Sequence, residues 1–223
     1  MNDLCKKNAE TASKMMADRN IPMNYYAPLK IVEDKIQSLK EDYIIVSEGS
    51  NTMDIGRTVL SNTKALQRLD AGTFGTMGVG FGFAIAAQAL HKDKKVVMVV
   101  GDSAFGFSGM EVETASRYNL PLKIIIINNN GISMGGETKS KDDNALNLPV
   151  THLNPLSAYE QISIAFGGKG REVKTHQELE QTLTECLADN NLWVVNVRID
   201  PSAGRKAQQF AWLTREEEKA PKL

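Results

Sequence analysis

An acidic side chain closes one apolar run of this sequence, and amides close the next. KKVVMVV ends on Gly101-Asp102-Ser103, and LKIIII ends on Asn128-Asn129-Asn130-Gly131. Asn129 follows Asp102 by 27 residues (129 − 102), the length of one helix and one strand. A carboxylate oxygen, an amide oxygen and a nearby backbone carbonyl are hard donors of the kind that hold Mg²⁺, which takes about six oxygens and keeps water and substrate phosphates among them. The small residues after Asp102 lead into a helical pattern, and the free N–H groups of a helix start favour phosphate. Each piece alone is ordinary, since Gly-Asp-Ser and Asn-Asn-Gly are both common turn sequences. Together they point to a metal-diphosphate anchor.

Such an anchor needs strands that deliver both turns to one edge. Val- and Ile-rich runs at Tyr43-Ser47, Lys95-Val100, Lys123-Ile127 and Trp193-Ile199 suit strands buried on both faces, with weaker candidates at Gln67-Asp70 and Arg171-Val173. Helical patterns separate them at Pro28-Leu39, Thr52-Leu60, Thr76-Leu90, Ser108-Tyr118, Ser157-Phe166 and Gln177-Ala188. The alternation predicts an α/β fold, a doubly wound, mainly parallel six-stranded sheet with helices on both faces. Ligands of such sheets collect at the carboxyl ends of the strands, where Asp102 and Asn129 lie. Residues 1–21 are expected to form a polar helix or linker, 22–203 the binding domain and 204–223 a charged tail.

Composition excludes several classes of function. A net charge of −1 over 223 residues offers nucleic acid no electrostatic footing. No apolar run approaches the ~20 residues of a membrane span, and MNDLCKKNAE has no signal-peptide core, so a soluble intracellular protein is expected. Cys5 and Cys186 stand far apart with no CxxC, which suggests neither a disulfide framework nor zinc. His91, His152 and His176 show no ligand spacing and read as solvated or capping residues. GGKG at Gly167-Gly170 follows a helical pattern and precedes a strand, where C-capping glycines belong. Arg205 and Lys206 read as a solvated basic pair.

Beyond the strand ends, the phrases VSEGSNTMDIGR, RLDAGTFGTMGVGFGFAIAA, GDSAFGFSGMEVET, NNNGI, YEQISIAFGGKG and RKAQQFAWLTR resemble the C-terminal, diphosphate-binding domain of the 2-hydroxyacyl-CoA lyase family. Oxalyl-CoA decarboxylase is a more distant likeness. The resemblance implies a thiamine diphosphate-binding fold in which Asp102, Asn129 and the carbonyl of Gly131 hold Mg²⁺. It places Ser103, Ala104 and Asn51 at the diphosphate, although Asn51 also suits an N-cap for Thr52-Leu60. Met77 would stand under the bend of the cofactor, and the Gly75 carbonyl would accept from its aminopyrimidine.

The implied reaction cleaves a 2-hydroxyacyl-CoA to an aldehyde and formyl-CoA. Complete family members carry an N-terminal pyrimidine-binding domain with a glutamate that protonates the cofactor ring. No such segment lies within these 223 residues, so the chain is expected to hold no catalytic residue of its own and to require that domain as partner, within a homo-oligomer. An oxalyl-CoA decarboxylase and a noncatalytic cofactor-binding module are the alternatives. Ser133 stands where the family commonly has tyrosine. The terminal Pro221-Lys222-Leu223 resembles the Ser-Lys-Leu peroxisomal address, which implies peroxisomal import.

Overall fold

The computed structural model describes residues 2–133, 135, 149–154 and 157–204. The polar loop Lys139-Asn147, the pair Arg205-Lys206 and the terminal tripeptide lie outside them. In chain order the elements are α1 (Asn2–Met16), α2 (Tyr26–Gln37), β1 (Tyr43–Glu48), α3 (Ser50–Val59), β2 (Arg68–Asp70), α4 (Gly80–Leu90), β3 (Lys95–Gly101), α5 (Asp102–Ser108) and α6 (Glu111–Arg117). They continue with β4 (Lys123–Asn128), α7 (Glu160–Ala165), β5 (Lys169–Val173), α8 (His176–Ala188) and β6 (Trp193–Arg198). All six strands pair in parallel, in the order β2-β1-β3-β4-β6-β5.

Strand side chains alternate between two cores, because successive residues of a strand point to opposite faces. Ile45, Val97, Val99, Ile125, Ile127, Val195 and Val197 pack with α2, α3 and α8 on one face. Ile44, Val46, Val96, Met98, Val100, Ile124, Ile126 and Val194 pack with α4, α5, α6 and α7 on the other. Every residue of β4 is buried, as expected of a central parallel strand covered on both sides. On the second face Phe81, Phe105 and Tyr159 form a ladder with centroids 5.6 and 5.5 Å apart, tying α4 to α5 and α5 to the segment entering α7.

The order of the strands fixes where a ligand can sit. From β1 the chain moves outward to β2, then returns to place β3 on the other side of β1. The connections therefore diverge between β1 and β3, leaving a crevice at their carboxyl ends.

Several helix boundaries differ from the sequence reading, α2, α3 and α7 by one to three residues at an end and others by more. The helix expected from Thr76 starts at Gly80, because Gly75 and Gly78 adopt φ of 65° and 88° and keep the preceding segment out of helical conformation. The helix expected at Ser108-Tyr118 is the shorter α6, and a separate α5 begins at Asp102 itself. The first helix ends at Met16, and Met15 and Met16 pack on the core beside α2. His176 is buried rather than solvated, and desolvation lowers its pKa. GGKG does close a helix: Gly167 has φ of 84°, and the Gly168 N–H donates to the Ser163 carbonyl at 2.8 Å.

Candidate functional site

Three turns meet in the crevice, one each from β1, β3 and β4. Gly49 links β1 to α3 with φ of 103°, and a Cβ there would lie 3.2 Å from the backbone nitrogen of Gly101, so the first two turns touch backbone to backbone. A cavity of about 410 Å³ opens between the turns. Asn51, Gly75, Met77, Asp102, Ser103 and Gly131 line it, so six of the eight residues singled out from sequence share one wall. Ala104 is fully buried beneath that wall, and Asn129 is 1% exposed.

Asp102 is the first residue of α5 and is itself almost fully buried. One carboxylate oxygen accepts from the Ser103 N–H at 2.8 Å, and the other from the Gly131 N–H at 3.1 Å, which binds the β3 turn to the β4 turn. Burial nevertheless dominates, pushing its pKa up to about 6 against those hydrogen bonds. A carboxylate so placed is short of a positive charge.

The three asparagines after β4 have three different tasks. Asn128 Oδ1 accepts from the Asn130 N–H at 3.0 Å, closing an Asx turn in which Asn130 takes φ of 60°. Asn130 Oδ1 accepts from the Arg198 guanidinium at 2.9 Å. Asn129 Nδ2 donates to the Ser133 carbonyl at 3.2 Å, while its Oδ1 is buried without a hydrogen-bond partner among the described residues. An orphaned acceptor of this kind is costly unless something electropositive meets it. Together with the Asp102 carboxylate and the Gly131 backbone, it fits a hard divalent cation. No group of three or more His, Cys, Asp or Glu among the described residues could hold a metal, so a cation here would rely on this mixed donor set.

Asn51 does not cap α3. Gly49 occupies that position, and Asn51 Nδ2 instead donates to the Ser133 carbonyl at 2.6 Å, across the cavity mouth. Met77 is half-buried against the second core, on the segment before α4. That segment is pinned from below by Glu48, whose carboxylate accepts from the N–H groups of Gly78 and Gly80, the latter at 2.9 Å. Glu48 is thus a buried brace under the Met77 turn and does not line the cavity.

The sequence reading missed two contributors. Tyr25 lines the cavity, and burial, the nearby Asp102 charge and a hydrogen bond with Asn51 act on its hydroxyl, the net effect raising its pKa. It is held there by Asn24, whose Oδ1 accepts from the N–H groups of Tyr26 and Ala27 at the start of α2. The only local signal was Asn24 ahead of a helical run, 78 residues before Asp102 (102 − 24). The second is the segment around His152, which bridges to Gly131 as Ile132 N–H donates to the Thr151 carbonyl and Leu153 N–H to the Asn130 carbonyl.

Comparison with known proteins agrees with this geometry. The family model for the thiamine pyrophosphate enzyme C-terminal TPP binding domain matches residues 48–197. The chain is 51% identical over 222 residues to 2-hydroxyacyl-CoA lyase 1 of Homo sapiens, covering 94% of this chain and 38% of that protein. It is 39% identical over 209 residues to oxalyl-CoA decarboxylase of Escherichia coli (strain K12), covering 93% and 36%. The crystal structure of benzoylformate decarboxylase from Polynucleobacter necessarius superposes with a TM-score of 0.69 at 20% identity, covering 85% of this chain and 35% of that one, which speaks to the fold. The chain thus spans little more than a third of the length of these relatives. With the matched region beginning at Glu48 and enclosing all three turns of the crevice, the chain belongs to the thiamine pyrophosphate enzymes and carries their C-terminal cofactor-binding domain.

Proposed function

We propose that this chain is the cofactor-holding part of a 2-hydroxyacyl-CoA lyase, which cleaves 2-hydroxyacyl-CoA to an aldehyde and formyl-CoA. The observation that carries the metal-diphosphate reading is the buried, unpartnered Asn129 Oδ1 beside the charge-starved Asp102 carboxylate. The lyase is favoured over oxalyl-CoA decarboxylase by the higher identity to the former, 51% against 39%.

In this reading Asp102, Asn129 and the Gly131 carbonyl hold Mg²⁺. Asn51, Ser103 and the backbone of Ala104 meet the diphosphate, and Met77 and the Gly75 carbonyl meet the organic rings. When bound, thiamine diphosphate supplies the electron sink for carbon–carbon cleavage. The chain's own part is to bind, orient and exclude water: the Glu48 brace holds the Met77 turn at a set height, and the β3 and β4 turns are locked together through Asp102 and Gly131. Phe107, which lines the cavity, is exposed, as are Phe74 and Met110, and these apolar side chains suit cover by a pyrimidine-binding domain in a homo-oligomer.

Titration calorimetry tests the anchor. Thiamine diphosphate should bind weakly to this chain, with Mg²⁺ only, and Asp102→Ala should remove the heat. Equal binding in EDTA would overturn the metal site. For the terminal Pro221-Lys222-Leu223 we propose peroxisomal import. A fluorescent fusion with a free C-terminus should be punctate and become diffuse when Leu223 is deleted; diffuse signal from both would end that proposal.

A further inference from the structure

In β6, which pairs with β4, one amide stands between two valines. Asn196 lies in the middle of β6, 0% exposed, between Val195 and Val197. Its Nδ2 donates to Glu160 Oε2 at 2.9 Å and to the Ser157 carbonyl at 3.3 Å. Its Oδ1 accepts from Asn128 Nδ2 at 2.9 Å. Glu160, in the first turn of α7, and Asn128, at the end of β4, are also buried.

The polarity of this chain of bonds is fixed at both ends, by acceptors at α7 and by the Asn130 N–H at the turn. The Ser157 carbonyl can only accept, and with the Glu160 carboxyl it draws Nδ2 of Asn196 to that side and leaves Oδ1 for Asn128. That in turn forces Asn128 to present Nδ2 to Asn196 and leaves its Oδ1 for the Asn130 N–H, the bond that closes the Asx turn. Reversal at any link would set donor against donor at the next. The turn so fixed carries Asn129, whose Nδ2 is occupied by the Ser133 carbonyl and whose Oδ1 is therefore the atom left for the site.

We infer that Asn196 and Glu160 are positioning residues for the metal-holding turn: a hydrogen-bond relay running from α7 through β6 sets the amide orientation of Asn128 and with it the placement of Asn129 and Gly131. The inference rests on the proposed reading of that turn as the cation site. It goes beyond that reading in assigning two residues outside the cavity, on elements that do not border it. A buried polar relay is strained when only part of it is satisfied, so its removal should be felt at the turn rather than evenly over the sheet.

Native-state hydrogen exchange on the full chain, read residue by residue, decides it without any ligand. Glu160→Gln preserves shape but weakens the α7 end of the relay, because glutamine can donate as well as accept. The Asn130 amide should then exchange about fivefold to tenfold faster than in the parent, while Val195 and Ile125 in the sheet keep their rates. Asn196→Leu, if it folds, should accelerate Asn130 by more than it accelerates those strand amides. Asn130 moving only in step with the strand amides in both variants would overturn the inference. A second arm follows thermal stabilisation by thiamine diphosphate against Mg²⁺ concentration, where Glu160→Gln should raise the half-point severalfold. Were the parent chain to show no Mg²⁺-dependent stabilisation, the cation reading would fall, and the exchange comparison would still decide the relay.

Discussion

Asp102 shows how a single side chain can trade stability for readiness to bind. Its folded pKa of about 6 stands above the ordinary carboxylate range because burial outweighs the backbone hydrogen bonds it accepts. The metal-free folded chain therefore retains a proton that the unfolded chain gives up between about pH 4 and 6, and stability falls as pH rises through that window. Two units correspond to about 3 kcal/mol. Asp102→Asn should flatten this dependence and leave the metal-free chain about 1–2 kcal/mol more stable at pH 8, since the relief is offset by about 1 kcal/mol when its NH₂ faces one of the two backbone donors. Urea unfolding in EDTA from pH 4 to pH 8 measures both effects, and an unchanged slope in the variant would assign the dependence to another group. At this scale the sequence was legible where chemistry and spacing coincide, as for the Asp102 carboxyl and the amides that end β4, which the fold brings to one edge. It was silent on Tyr25, because a tyrosine at the head of a distant helix carries no mark of what it will face. It was equally silent on which of the three asparagines binds backwards into the fold, since identical residues take different tasks only once β6 and α7 are in place.

The elements were read well where one period governs them. Runs such as Val96-Val100 and Ile124-Ile127 alternate between two apolar cores, so they look continuous in sequence, and that continuity is itself the mark of a strand covered on both faces. Reading failed where backbone conformation overrides composition. The segment GTFGTMGVG has a hydrophobic, helix-like look, yet positive φ at Gly75 and Gly78 delays α4 to Gly80 and frees the N–H groups that Glu48 accepts. A carboxylate 30 residues upstream of Gly78 (78 − 48) leaves no local trace there. Lys123 escaped notice for a similar reason. It opens β4 almost fully buried, with Nζ donating to the Asn191 carbonyl at 2.5 Å, and desolvation pulls its pKa down to about 8. Beside four isoleucines it reads as the solvated first residue of a strand, and only the closing of the α8-β6 connection over it buries the ammonium.

For the molecule as a whole, the proposed division of work between this domain and a pyrimidine-binding partner makes a strong prediction. The 223-residue chain should release neither aldehyde nor carbon dioxide from acyl-CoA substrates by itself, because among the described residues no acid is placed to exchange protons with the cofactor ring. Glu48 is buried and committed to Gly78 and Gly80. Glu113 pairs with Arg117 at 3.0 Å on α6, away from the cavity. Asp54 does line the cavity but lies 3.9 Å from the Arg57 guanidinium, and it sits on α3, on the side where the diphosphate is proposed to bind. General acid-base assistance contributes about 10²–10⁴-fold in rate, so its loss should leave turnover near background. A separately expressed pyrimidine-binding domain from a related lyase should restore part of the aldehyde release when it can seat over the exposed Phe107. Replacing Phe107 with Asp should abolish that rescue while leaving the Mg²⁺-dependent heat of cofactor binding in place, which separates docking from anchoring. Carbon dioxide in place of aldehyde would move the chain to the decarboxylase side of its family. Robust turnover by the chain alone would mean that a proton path exists within this domain, and Asp54→Asn would be the first variant to locate it.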